Sequence, residues 1–123
     1  MKKTLSFILL LLFSVQLYAG NNQTAIILNG KGGNRSDLPL NFDMPLAFYV
    51  YGPKVQDIII DGGGIVSYYD VEISSPVTNT VEMATQVDGT YDCFDISSLP
   101  TGSHVITIES PSGNIYEGTF TKY

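Results

Sequence analysis

The sequence contains no tryptophan, one cysteine and one histidine in 123 residues. Each scarcity removes a class of chemistry. A lone Cys93 permits no intrachain disulfide. One His and one Cys make no zinc site without carboxylates. No local motif sets His104 beside Cys93 or a serine as a base–nucleophile pair, and a Gly-x-Ser-x-Gly elbow is absent. Positive charge is sparse as well: six Lys and Arg against twelve Asp and Glu give a net charge of −6. An acidic surface repels phosphate backbones and anionic lipids, so nucleic acid and membrane surfaces are poor partners. Beyond Gly20 no window sustains helical periodicity.

The one long hydrophobic run lies at the start. Lys2 and Lys3 precede an almost wholly apolar stretch over residues 5–17, and Leu17-Tyr18-Ala19 ends in a small residue before Gly20. This is the pattern of a secretory signal peptide cut after Ala19, leaving residues 20–123 as one domain. The apolar run is shorter than the roughly 20 residues a bilayer span needs. The reading is an exported chain, periplasmic, cell-surface or extracellular, with no membrane insertion after cleavage. Loss of Lys2 and Lys3 makes the domain two units more negative, and no Cys follows the run to carry a lipid.

Strand signals fill the rest. Residues 25–28 are apolar and stop at Asn29-Gly30-Lys31-Gly32-Gly33-Asn34; without a helical pattern after it, this Gly-rich run is a loop and no phosphate cradle. Residues 35–40 form an extended piece that Pro39 confines to an edge or connection. Residues 46–51 alternate, with Leu46, Phe48 and Val50 on an apolar face and Ala47, Tyr49 and Tyr51 opposite. Residues 55–60 and 65–73 flank Asp61-Gly62-Gly63-Gly64 and read as a hairpin. A weaker strand at 78–84 and another at 91–96 lead to Leu99-Pro100-Thr101-Gly102 and a last hairpin around Pro111-Ser112-Gly113-Asn114. Such spacing predicts an all-β, antiparallel β-sandwich of about seven strands, of the immunoglobulin-like kind.

Candidate sites are few. His104 shares a strand face with Ile106 and Ile108 and reads as a structural histidine. Cys93 has three readings, a reactive thiol, a dimer-forming one or a small buried hydrophobe, and the burial habit of free cysteine favours the third. Asp88, Asp92 and Asp95 fail the EF-hand pattern, since Cys93 stands where the turn needs Gly and Leu99 where it needs Glu. They read as solvated turn carboxylates, with no metal and no cofactor implied. The aromatics are the most suggestive set: Tyr49 and Tyr51 share a face, and adjacent Tyr68 and Tyr69 cannot both point inward. Exposed, they could stack on sugars or anchor a protein partner; otherwise they are cross-strand pairs.

Ile27-Leu28-Asn29-Gly30, Arg35-Ser36, Gly64-Ile65-Val66, Tyr68, Leu99-Pro100-Thr101-Gly102 and Tyr116-Glu117-Gly118-Thr119-Phe120 together carry a resemblance. The chain resembles a family of small secreted Bacteroides-type proteins, a domain of unknown function with an immunoglobulin-like fold. Its last third is also similar to C-terminal secretion-sorting domains, which carry a similar Leu-Pro-x-Gly lead-in. The resemblance implies no catalytic residues or cofactor. Both families often place Tyr two residues after that Gly, where this chain has His104. The combined reading is a secreted, non-enzymatic binding module whose partner is an unknown protein or glycan of the cell envelope. Two more specific alternatives are a carbohydrate-binding module using Tyr49, Tyr51, Tyr68 or Tyr69, and a sorting or assembly accessory acting by strand pairing.

Overall fold

Period-two alternation divides each strand into a buried and an open side, and the buried sides meet between two antiparallel sheets. The computed structural model describes residues 21–31 and 42–123. The expected signal peptide and the extended piece around Pro39 lie outside the described residues. Nine strands run in order: β1 (Asn22–Ile26), β2 (Asn29–Gly30), β3 (Leu46–Tyr51), β4 (Gln56–Asp61), β5 (Tyr68–Ser74), β6 (Val81–Asp88), β7 (Tyr91–Asp95), β8 (Gly102–Glu109) and β9 (Ile115–Lys122). One sheet has the order β1-β3-β4-β7 and the other β2-β9-β8-β5-β6. The described residues thus hold nine strands against the expected seven or so, and the N-terminal segment supplies an edge strand to each sheet.

The core draws on both sheets: Ala47 and Tyr49 of β3, Ile58 and Ile60 of β4, and Tyr69, Val71 and Ile73 of β5. Ile106 and Ile108 of β8 and Tyr116 and Phe120 of β9 complete its centre. Burial of each such side chain stabilises the fold by about 1.5–3 kcal/mol. The last hairpin forms as its sequence requires. β8 and β9 pair from Gly102↔Lys122 to Glu109↔Ile115, and the Gly113 N–H donates to the Ser110 carbonyl inside the turn.

Two expectations are corrected. β4 and β5 are no hairpin: β4 pairs with β3 and β7, whereas β5 pairs with β6 and β8. The Gly-rich run after Asp61 carries the chain from one sheet to the other. It runs beside the β6–β7 connection, which crosses back, and the two backbones nearly touch: a Cβ on Gly89 would lie 1.9 Å from the Val66 carbonyl oxygen. The second correction concerns β3. Its inward face is Ala47, Tyr49 and Tyr51, while Leu46 is 59% exposed. Side-chain polarity misleads here because a tyrosine buries a large ring once its hydroxyl finds a partner.

Candidate functional site

The four tyrosines singled out by sequence do not form one surface. Tyr49 and Tyr69 are core residues, 2% and 0% exposed, and cannot serve as stacking platforms. Tyr51 and Tyr68 are half-buried. Tyr49 and Tyr51 lie beside the β3–β4 turn, near Gln56. Tyr69 lies beside Gly62, at the other end of β4. Their hydroxyls are occupied internally: Tyr69 donates to the Asp43 carbonyl oxygen at 2.8 Å, and Tyr49 donates to Gln56 Oε1 and accepts the Tyr123 N–H at 3.0 Å. Burial pushes the Tyr69 phenol up to about 12, aided by the Asp43 charge, and burial also raises the Tyr49 phenol.

Around Tyr49 the structure assembles something sequence did not indicate. Tyr51 stacks on Tyr49 with centroids 4.8 Å apart, Tyr123 lies 4.9 Å from Tyr51, and Phe120 lies 5.5 Å from Tyr49. Tyr49, Phe120 and Tyr123 of this cluster line a cleft of about 270 Å³ together with Thr24 and Ala25 of β1 and Thr119 and Thr121 of β9. The cleft therefore lies between the edge of one sheet and the edge of the other. β2 pairs with β9 only at Glu117 and Tyr116, after which the Lys31 N–H donates to the Ile115 carbonyl. Backbone groups of alternate residues point to the same side of a strand. Those of Ile115 and Glu117 face β2, so those of Thr119 and Thr121 face the cleft towards β1, with no strand hydrogen-bonded to them among the described residues. Where β2 stops is a property of the tertiary structure, and no signal in the sequence of β9 announces it.

A second polar cluster, also missed, is enclosed. Asp43 is 0% exposed. Its carboxylate accepts from Ser112 Oγ at 2.6 Å, Asn114 Nδ2 at 3.1 Å and the Tyr116 hydroxyl. Burial drives this carboxyl upward, but hydrogen bonds from Ser110, Ser112, Tyr116 and Asn114 outweigh it and hold it below its ordinary value. Burial and the same carboxylate raise the Tyr116 phenol. Every acceptor is satisfied and none is reachable, so the cluster ties the chain before β3 to the β8–β9 turn.

His104 is 2% exposed, with Nδ1 2.7 Å from Glu82 Oε1, Nε2 2.7 Å from the Pro100 carbonyl oxygen, and its ring stacked on Phe120 at 5.5 Å. Both nitrogens are engaged in holding the lead-in of β8 to β6, as a structural histidine should be. The Asp88 carboxylate accepts the Thr90 N–H and that of Asp92 accepts the Asp88 N–H, both as turn caps. Cys93 corrects the sequence reading: it is exposed. β7 is an edge strand, and Cys93 faces away from the core that its neighbour Phe94 packs against.

Two antiparallel sheets of four and five strands and the cross-sheet connections define an immunoglobulin-like β-sandwich. No protein-family model matches the chain, and no curated protein matches it in sequence. Among solved structures, the chain is similar to a DUF3244 family protein with an immunoglobulin-like β-sandwich fold from Bacteroides vulgatus. The TM-score is 0.61 at 13% identity, with 83% of this chain and all of that chain covered. That likeness establishes the fold, and the neighbour is of the kind that the sequence motifs resemble.

Proposed function

We propose that the domain is an exported, non-enzymatic interaction module that takes up an extended peptide strand along the free edge of β9. The observation that carries this reading is the conjunction of cleft-facing backbone groups at Thr119 and Thr121, unpaired among the described residues, with the aromatic side chains of the same cleft. Strand addition needs both parts: main-chain donors and acceptors supply affinity, and a side pocket selects alternate side chains. The uncharged stretch Gly118-Thr119-Phe120-Thr121 supports it further, since edges that avoid pairing carry charge, proline or bulges. The partner is then a protein of the envelope rather than a glycan, because Tyr49 and Tyr69 are enclosed.

The test is selection of peptides on the mature domain followed by amide hydrogen exchange. A supporting peptide slows exchange at Thr119 and Thr121, and Thr121→Pro, which removes an outward N–H without touching the β8 ladder, abolishes binding while the domain still melts cooperatively. Binding that survives Thr121→Pro, or protection elsewhere on the sandwich, excludes the reading.

A further inference from the structure

The outer face of the sheet β1-β3-β4-β7 has the wrong composition for a solvated surface. Since Ala47, Tyr49, Ile58 and Ile60 face the core, their neighbours along each strand face away from it. One transverse row of that outer face is apolar across all four strands: Ala25 opposite Phe48, Phe48 opposite Ile59, Ile59 opposite Cys93. In the next row Val50 is only 4% exposed although it lies outside the core cluster. On the other side Leu46 is 59% and Ile27 73% exposed, and with Ala25 and Phe48 they line a groove of about 210 Å³. The second sheet shows the usual arrangement. Its outer face pairs Asp70 with Glu109, Glu72 with Thr107 and Thr107 with Glu117, the polar side of an antiparallel sheet.

Carboxylates flank the apolar row. Asp57 stands opposite Asp95 on one side of it, and Asp61 opposite Leu46 on the other. Lys54, in the β3–β4 turn, lines the same hollow as Asp57 and Asp95, and Lys122 also acts on Asp95, so the Asp57 carboxylate is the less compensated of the two. Like charges directly opposite on neighbouring strands are destabilising; the second sheet carries such a pair too, Asp70 opposite Glu109, so what distinguishes this face is the apolar row beside its carboxylates. A second copy stacked face to face would set three aspartates against three more. Charge complementarity favours a different occupant.

We propose that this face binds a protein segment in which a short aliphatic cluster is flanked by Lys or Arg. The aliphatic groups seat on Phe48 and Ile59 and in the Leu46 groove, and the cations meet Asp57 and Asp95. Burial, and Asp95 opposite, push the Asp57 carboxyl above its ordinary value; a partner cation removes that repulsion. The surface adjoins the β9 cleft at Ala25 and Ile26, so shifts at Phe48, Ile59 and Cys93 tell the two bindings apart.

The probe is an octapeptide with a central Leu run flanked by Lys at both ends, with its Leu/Glu counterpart, titrated into isotopically labelled mature domain. Expected are shifts at Ala25, Phe48, Ile59 and Cys93 with the Lys peptide alone. Binding should weaken about tenfold in Asp57→Asn/Asp95→Asn, and likewise between about 0.05 and 0.5 M salt. Asp70→Asn/Glu72→Gln on the other sheet serves as the control and should leave binding unchanged. Equal binding of both peptides, equal sensitivity to the two double variants, shifts confined to the β9 edge, or self-association through Phe48 would each overturn the proposal.

Discussion

The Tyr116 hydroxyl on the last strand donates to the carboxylate of Asp43, 73 residues earlier, and both groups are sealed from solvent. This contact joins the chain before β3 to β9, the strand whose edge at Thr119 and Thr121 is unpaired among the described residues. Removing the donor leaves a buried carboxylate one hydrogen bond short. Tyr116→Phe should therefore cost about 1–3 kcal/mol, and Asp43→Ala about 2–4 kcal/mol, since it strands Ser112, Asn114 and Tyr116 together. Chemical denaturation of the two single variants and the double variant checks this, and the double variant should lose less than the sum.

Two aspartates respond to acid in opposite directions. The Asp43 carboxyl is held below its ordinary value of 3.8, so its contribution to stability is present above 3.8 and is lost as pH falls through the folded value. The Asp57 carboxyl is raised above 3.8 by burial and then by Asp95, so it opposes folding at neutral pH and ceases to do so below 3.8. Asp43→Asn should destabilise at pH 7, with the gap to the parent narrowing in acid. Asp57→Asn should stabilise at pH 7 by about 0.2–1 kcal/mol, a gain that disappears in acid. Melting temperatures of the parent and both variants across pH 2–7 read both signs, at roughly 4–8 °C per kcal/mol for a domain of this size.

Much of this fold is legible residue by residue. Period-two runs and Gly, Pro and Asn punctuation mark nearly every described strand, and Ile106 and Ile108 fix the inward face of β8, with His104 on it. Pairing is less legible. The runs around Asp61-Gly62-Gly63-Gly64 have the local form of a hairpin, yet β3 and β7 occupy both edges of β4 and send β5 to the other sheet. Tyr49 fails for another reason: its burial depends on Gln56 and Tyr123 accommodating a hydroxyl, which polarity scales do not register. The candidate sites are least legible, because an unpaired edge and an apolar outer face exist only once strand order is set.

Cys93 offers a direct reading of strand order. On a central strand facing the core it would be inert; on β7, an edge, it is exposed. A thiol reagent such as 5,5′-dithiobis(2-nitrobenzoate) should label the native domain to one equivalent, at a rate within about tenfold of that in denaturant. Labelling that requires unfolding would place β7 elsewhere. The same residue reports on the outer face: an occupant seated on Phe48 and Ile59 should slow the labelling, whereas a strand added to β9 should not.

Gly118 links the N-terminal segment to the cleft. Where the chain crosses from β1 to β2, the Ile27 carbonyl oxygen would lie 2.6 Å from a Cβ at position 118, Ile26 Cγ2 2.9 Å and Leu28 Cδ2 3.1 Å. Two of these are side-chain atoms that can move, but the carbonyl belongs to backbone. Gly118→Ala should therefore push the crossing segment off β9, at a cost of about 1–3 kcal/mol. Loss should concentrate where β1 and β2 attach, because the β8–β9 ladder runs along the other edge of β9. Amide exchange should accelerate at Asn29 and Lys31 while Ile106 and Ile108 stay protected. A uniform acceleration would mean that the N-terminal strands are integral to the cooperative sandwich rather than a cover laid across its edges. The first outcome would also lengthen the free edge of β9, so peptides that pair at Thr119 and Thr121 should bind this variant at least as tightly as the parent.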